Sequence, residues 1–281
     1  MNRILFEKDE IADGVATFGG ARAEHVLNVL HGEVGQVLKT GEVDGMIGMS
    51  VIKSIRGAGE TPPPQTLDVS GGGAVSAAQV EITVSVCHEE ESLRPWVDLI
   101  LAPPRPRVMK RLLPQLATMG VGRIFLVGAK KVEKDFWGAT LLKPENYRPL
   151  LIDGLMQAGA SILPTVETRR NFRKFVKEEV DALWPSAKRI VAHPYGADST
   201  RICANEANAR ESFAEIRSIR EDSCSEGVLL AVGPEGGWTD EEVAMLEERG
   251  FSRYSLGARI LRTDTATIAL LAQLMKEFDK C

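Results

Sequence analysis

The pattern of apolar and polar positions changes character at about residue 90. Before that point the apolar segments are short, alternate with polar residues and are separated by glycines, which predicts β-strands of a small barrel or sandwich. One predicted helix lies among these strands, at residues 23–30, where the apolar residues have helical spacing. A segment rich in Gly and Pro, residues 57–73, predicts a loop. The predicted strands are residues 35–39, 46–52 and 80–86.

After residue 90, compact apolar runs alternate with amphipathic segments. Each run ends within one or two residues of Gly or Pro, as strands of a parallel sheet covered on both faces do. The segments between them predict helices, so this part predicts an α/β domain. We therefore expect a β-domain over residues 1–90 and an α/β domain over residues 91–281, joined at an acidic hinge, Glu89–Glu91. The runs are residues 97–102, 123–127, 189–192 and 228–232.

Composition narrows the class of protein. The chain has 281 residues, is 44% hydrophobic and 26% charged, and carries a net charge of -5, which excludes a disordered chain. No apolar run approaches the roughly 18 residues of a membrane span, and the first residues lack the apolar segment of a secretion signal. We expect a cytoplasmic protein, or an organellar one whose transit peptide was removed. The cysteines are too scattered for a disulfide framework or a zinc clip, which predicts reduced thiols and no metal site: Cys87, Cys203, Cys224 and Cys281.

The net charge hides an uneven distribution. Residues 1–90 carry a charge of -7 and the remaining residues carry +2. Within residues 94–134 there are nine basic residues and two acidic ones. A solvated helix face accounts for any single lysine in this stretch, whereas the concentration also fits a patch that binds a polyanion such as RNA.

A glycine-rich loop follows the predicted strand at residues 228–232. The loop, Gly233–Gly237, precedes Thr239 and Glu242, whose spacing is that of a capping box at the start of a helix. α/β domains bind ligands where a parallel strand ends beside a helix N-terminus. The loop matches neither the Walker pattern nor the dinucleotide fingerprint, so a phosphate cradle is not expected. A plain tight turn is the alternative.

A second strand-loop-helix unit comes directly after the first. Residues 251–256 predict a strand, and residues 257–266 lead into an apolar helix, so both loops should lie at one sheet edge. His193 also follows a predicted strand and should lie at that edge, with no catalytic role assigned to it. Arg259 and Arg262 flank an apolar pair, which indicates a site that is part apolar and part anion-binding. Arg262 beside Asp264 fits a structural ion pair equally well.

The two loops together carry a family resemblance. Gly233–Gly237 followed by Leu256–Ala266 resembles the signature of the 16S ribosomal RNA uridine-N3 methyltransferase family, which belongs to the trefoil-knotted SPOUT methyltransferases. His25–Leu30 resembles the PUA-like RNA-binding element at the N-terminus of that family. The resemblance to that family extends to three further places in the chain, Met119–Val121, Gln157 and Leu163–Pro164.

The resemblance implies a fold, a cofactor and a reaction. It implies a SPOUT-type trefoil-knotted α/β domain preceded by a small PUA-like β-barrel, and a homodimer. The cofactor would be S-adenosylmethionine, and the substrate a uridine N3 in the RNA of the small ribosomal subunit. Arg262 would be catalytic or orient the substrate, and Glu235 or Asp264 would accept the proton or balance the sulfonium. The cofactor would be bound by Val232, Gly233, Pro234, Gly236, Gly237, Leu256, Gly257, Ile260, Leu261 and Thr263, and the RNA by His25, Arg105, Arg107, Lys110 and Arg111.

Four positions depart from the family pattern on its RNA-facing side. His31, Gln115, Thr118 and Ala160 stand where the family usually has Arg, Lys, Glu and Arg. Asp264 replaces the more usual Glu, which is a milder change. These departures leave open a non-catalytic RNA-binding or ribosome-assembly protein that keeps the knot fold. The residue pattern without the resemblance also allows an unrelated α/β nucleotide-binding enzyme.

Overall fold

A computed structural model describes residues 2–57, 80–194 and 227–278. The chain forms two units, one of Met1–Leu93 with Leu155–Ile162 and one of Arg94–Gly154 with Leu163–Cys281. The predicted boundary at residue 90 lies close to this division. The segment 155–162 differs from the prediction, because nothing in its composition separates it from the α/β part of the chain. Most of the Gly/Pro-rich loop and three of the cysteines, Cys203, Cys224 and Cys281, lie outside the described residues.

The first unit contains a six-stranded mixed sheet. Its strands are β1 (Ile4–Phe6), β2 (Ile11–Ala12), β3 (Val15–Phe18), β4 (Val37–Glu42), β5 (Ile47–Gly57) and β6 (Val80–Glu90). They lie in the order β1-β4-β5-β6-β3-β2, with β1 parallel to β4 and the other pairs antiparallel. Two residues of the predicted hinge Glu89–Glu91 belong to a strand instead, because β6 continues to Glu90, where it pairs with Ile47 of β5.

One helix, α1 (Gly20–Asn28), packs on this sheet. The alternation of apolar and polar residues puts one set of strand side chains against it, which explains the predicted pattern. Phe6, Ile82 and Val84 from the strands and Val26 from the helix are fully buried in one core cluster. The first unit therefore has its own hydrophobic core.

The second unit contains a six-stranded parallel sheet. Its strands are β7 (Val97–Leu101), β8 (Val121–Val127), β9 (Thr165–Arg169), β10 (Lys188–Ala192), β11 (Val228–Val232) and β12 (Ser252–Tyr254). They lie in the order β12-β10-β11-β7-β8-β9. The four apolar runs and the strand predicted near residue 254 are confirmed. β9 was missed because it is an edge strand whose residues are exposed or half-buried, so it carries no apolar run.

Helices cover this sheet, as expected for an α/β fold. They are α2 (Pro106–Thr118), α3 (Pro144–Ala158), α4 (Phe172–Glu178), α5 (Val180–Leu183), α6 (Asp240–Glu247) and α7 (Thr263–Phe278). Every residue of β11 is buried, and aromatic rings from helices and loops pack against the sheet, such as Phe175 and Trp184 around Phe125. Within the described ranges no helix is long and apolar enough to cross a membrane.

Candidate functional site

A cavity of about 350 Å³ lies at the carboxyl ends of three neighbouring strands, β10, β11 and β12. The residues that follow each strand line it: His193 after β10, Gly233 after β11 and Ser255 after β12. The prediction that the two loops and His193 share one sheet edge is therefore confirmed. Ligands of α/β domains bind at this kind of edge, outside the carboxyl ends of the strands.

The structure brings together all ten residues that the sequence assigned to cofactor binding. Glu235, one of the predicted proton acceptors, lines the same cavity, whereas Arg262 and Asp264 do not. The roles of these residues as ligand contacts stay predictions. The ten are Val232, Gly233, Pro234, Gly236, Gly237, Leu256, Gly257, Ile260, Leu261 and Thr263.

The first wall of the cavity is the glycine loop, Gly233–Gly237. Its backbone closes on itself where the Gly237 N–H donates to the Pro234 carbonyl at 2.7 Å. Gly237 has a φ of +70°, a left-handed conformation that favours glycine. The buried hydroxyl of Thr263, at the start of α7, donates to the Gly233 carbonyl at 3.3 Å and joins the two predicted loops.

The predicted capping box at the start of α6 is confirmed. The Glu242 N–H donates to the Thr239 hydroxyl at 3.3 Å, and the Thr239 N–H donates to Glu242 Oε2 at 2.8 Å. Glu242 is only 7% exposed, and its Oε1 accepts a further bond from the Lys130 N–H at 2.7 Å. This one carboxylate therefore fixes the end of the glycine loop and the segment that follows β8.

Lys131 is a residue of the cavity wall that the sequence analysis did not select. Its ammonium donates to the carbonyls of Gly236, at 2.9 Å, and Trp238, at 3.4 Å. The sequence shows Lys131 only as one member of the basic stretch, because its partners lie more than a hundred residues further along the chain. No local spacing could have indicated this contact.

The second wall is the loop between β12 and α7. The Ser255 hydroxyl donates to the Pro194 carbonyl at 2.9 Å, and Gly257 has a φ of +113°. The side chains of Ile260, 77% exposed, and Leu261, 37% exposed, both line the cavity, so this loop offers an apolar surface to a ligand there.

The ion pairs around the cavity differ from the one considered in the sequence analysis. Arg262 is exposed and makes no ion pair with any described residue. The alternative interpretation, a structural ion pair between Arg262 and Asp264, is therefore wrong. Asp264 instead lies 3.5 Å from Arg111, and Glu235 lies 3.4 Å from Arg105. Both predicted proton acceptors are thus paired with arginines at α2, and the guanidinium of Arg262 is left available.

The predicted RNA-binding residues of the second unit form one exposed basic surface. Arg105, Arg107, Lys110 and Arg111 precede or begin α2, and all four are exposed. Their role in RNA binding stays a prediction. Gln115 and Thr118 are also exposed on α2, and the Thr118 hydroxyl donates to the carbonyls of Pro114 and Gly154. Thr118 is therefore engaged within the fold.

The remaining residues of the predicted RNA-facing set lie in the first unit. The Nε2 atom of His25 is buried and has no hydrogen-bond partner among the described residues. His31 follows α1, is exposed and has a φ of +50°, and Ala160 lies in the segment 155–162. In the described ranges no three His, Cys, Asp or Glu residues are grouped so that they could hold a metal ion.

Comparison with known families gives one match over most of the chain. The model of the RNA methyltransferase domain family matches residues 90–275. A ribosomal RNA small subunit methyltransferase E from Treponema pallidum (strain Nichols) is 26% identical over 283 residues, which cover 98% of this chain and 91% of that relative. The protein of the same name from Synechocystis sp. is 27% identical over 219 residues, covering 73% of this chain and 64% of that relative.

Solved structures share the fold. A ribosomal RNA small subunit methyltransferase E from Neisseria gonorrhoeae, bound to S-adenosyl methionine, has a TM-score of 0.64 at 20% identity, over 98% of this chain and 97% of that chain. A protein from Legionella pneumophila in complex with the bound cofactor SAM has a TM-score of 0.63 at 22% identity, with the same coverage. At these identities the likeness is one of fold.

Proposed function

The chain belongs to the RNA methyltransferase domain family, and from that premise we propose that it transfers a methyl group from S-adenosylmethionine to N3 of a uridine in small-subunit ribosomal RNA. The observation that carries the proposal is the cavity at the ends of β10, β11 and β12, which both family-like loops line. The names of the Treponema and Synechocystis relatives, and the cofactor in the two solved structures, support the substrate class and the cofactor.

The residues present fit S-adenosylmethionine. The cavity volume of about 350 Å³ is within the range of ligand pockets, about 300–1,000 Å³. Apolar side chains such as Leu261 and Leu270 suit an adenine ring. A Cβ on Gly233 would lie 3.1 Å from the backbone N and from the indole Nε1 of Trp238, so glycine lets the loop pack closely against that residue at the cavity wall. The buried indole Nε1 of Trp238 has no hydrogen-bond partner among the described residues.

The proposed chemistry depends on position and charge. S-adenosylmethionine, when bound, supplies a methyl group carried on a sulfonium. The loops would orient that group for in-line transfer, and their apolar residues would exclude water. As the N3 proton leaves, negative charge spreads to the two uracil carbonyl oxygens, and the guanidinium of Arg262 would donate N–H bonds to one of them, which leaves N3 open to the methyl group. A carboxylate oxygen of Glu235 or Asp264 would take the proton.

The proposal also covers the fold types of the two units, the oligomeric state and the binding of RNA. We take the first unit as a PUA-like RNA-binding domain, the second as a trefoil-knotted SPOUT domain, and the working form as a cytoplasmic homodimer. RNA would be bound at the basic surface of α2 and by His25 in the first unit. Because phosphate contacts release counterions, the affinity for RNA should fall steeply as salt is added.

Calorimetric titration with S-adenosylmethionine tests the cofactor part of this proposal. The protein should bind it with a Kd within about 1 μM to 1 mM, the range usual for enzyme substrates. Gly233→Val should weaken binding at least tenfold, because its side chain would collide with Trp238. Gly138→Val is the matched control, since a Cβ there meets nothing within 4 Å and should leave the affinity unchanged. Absence of binding by the parent protein at millimolar cofactor would contradict the proposal.

A further inference from the structure

We propose that Lys131 is a positioning residue that holds the glycine loop in the shape of the cavity wall. Its ammonium donates to the carbonyl of Gly236 at 2.9 Å and to that of Trp238 at 3.4 Å. These two bonds span the last part of the loop and the residue after it. Lys131 itself lines the cavity.

The stem of Lys131 lies over Gly236. A Cβ on Gly236 would come 3.1 Å from Lys131 Cδ and 3.5 Å from Lys131 Cβ. The lysine thus contacts this glycine twice, through its methylene groups and through its ammonium. Glycine at position 236 therefore leaves room for the stem of Lys131.

The two bonds from Lys131 tie the backbone of residues 234–238 to a side chain from outside the loop. The loop's own bond, from the Gly237 N–H to the Pro234 carbonyl, closes the turn without fixing it to the rest of the unit. Thr263 reaches only Gly233, the first residue of the loop. The ion pair between Arg105 and Glu235 joins two side chains and does not hold the backbone carbonyls of the loop.

The segment that carries Lys131 is itself anchored. The Lys130 N–H donates to Glu242 Oε1 at 2.7 Å, and Glu242 also caps α6. The backbone at Lys131 is therefore fixed to the helix that follows the glycine loop. A side chain held at its base in this way can restrain its partners.

Lys130 provides a matched control for Lys131. It is adjacent, exposed like Lys131 and of equal charge, but its ammonium makes no hydrogen bond or ion pair with the described residues. Lys130→Ala therefore removes the same charge and leaves both loop bonds intact. Lys131→Arg keeps a cationic donor at the loop.

Hydrogen exchange of the ligand-free protein tests the inference without reference to activity. Lys131→Ala should raise exchange of the Gly237 amide, which donates to the Pro234 carbonyl, about tenfold through easier local opening, with the thermal transition of the whole protein unchanged. Lys131→Arg should restore much of the protection, and Lys130→Ala should match the parent protein. Parent-like exchange in Lys131→Ala, or an equal increase in Lys130→Ala, would overturn the proposal.

The consequence for ligand binding rests on the proposed function. Lys131→Ala should weaken S-adenosylmethionine and 5′-methylthioadenosine by the same factor, about tenfold, because a displaced wall affects both ligands. A loss confined to S-adenosylmethionine, whose amino-acid end the second ligand lacks, would make Lys131 a direct ligand contact and overturn a positioning role. If the parent protein binds neither ligand, the proposed function fails, and the exchange result still decides the role of Lys131.

Discussion

Replacement of Arg262 by alanine is expected to lower methyl transfer about 100- to 1,000-fold, the usual loss when a preorganised donor to a developing oxyanion is removed. Cofactor affinity should stay within about twofold, because the side chain of Arg262 does not line the cavity. The guanidinium is exposed and makes no ion pair with any described residue, so its removal breaks no structural contact of that kind. Single-turnover transfer from labelled S-adenosylmethionine to small-subunit RNA, beside calorimetry, measures both quantities.

Two further variants make the result for Arg262 specific. Arg173→Ala removes an exposed arginine of the same unit that pairs with Glu241, away from the residues that line the cavity, and should leave the rate unchanged. Arg262→Lys keeps the charge but loses the paired N–H geometry, so it should recover only part of the rate. Transfer by Arg262→Ala at the parent rate would show that the arginine has no part in the reaction.

The second prediction with a large expected effect concerns the stability of the folded protein. Asp98→Ala should lower the free energy of unfolding by about 2–4 kcal/mol, because it leaves the indole N–H of the buried Trp184 and the half-buried donors of Arg123 without their acceptor. Asp98 Oδ1 accepts from the Arg123 N–H at 2.8 Å, and Oδ2 accepts from the Arg123 guanidinium and, at 2.6 Å, from the indole of Trp184. Trp184 is 4% exposed, and the Arg123 guanidinium stacks on its ring at 4.7 Å.

Urea unfolding at pH 7 measures the effect of Asp98. Asp98→Asn keeps two acceptor positions at one oxygen and should lose less than the alanine variant. Glu145→Ala removes a carboxylate that is 66% exposed and 4.0 Å from Lys143, and should change stability by less than about 0.5 kcal/mol. Equal midpoints for Asp98→Ala and the parent protein would contradict the structural role given to this carboxylate.

The elements around the site could be predicted because their signals are local. The buried strand β11 is a continuous apolar run, and the capping residues Thr239 and Glu242 are three positions apart. The loops after parallel strands emerge at the same edge of a sheet, so Gly233–Gly237 after β11 and the loop at Gly257 after β12 lie at one edge, on either side of β10. The assignment of ten residues in these loops to cofactor binding came from the family resemblance.

The contacts that fix the site could not be predicted, because they join distant segments. Lys131 bonds to Gly236, and Arg111 approaches Asp264, across more than a hundred residues. Charge attraction along the sequence suggested Arg262 as the partner of Asp264, whereas the fold brings α2 to that carboxylate. Edge strand β9 gave no signal, since an edge strand need not be apolar throughout.

The most direct test of the central claim is nucleoside mass spectrometry of small-subunit ribosomal RNA after incubation with the protein and isotopically labelled S-adenosylmethionine. RNA and assembled small subunits from a strain without the gene serve as substrates. The account predicts labelled N3-methyluridine with the parent protein and little or none with Arg262→Ala. Binding of cofactor and RNA without any labelled nucleoside would contradict it, and would instead support a non-catalytic RNA-binding or ribosome-assembly protein.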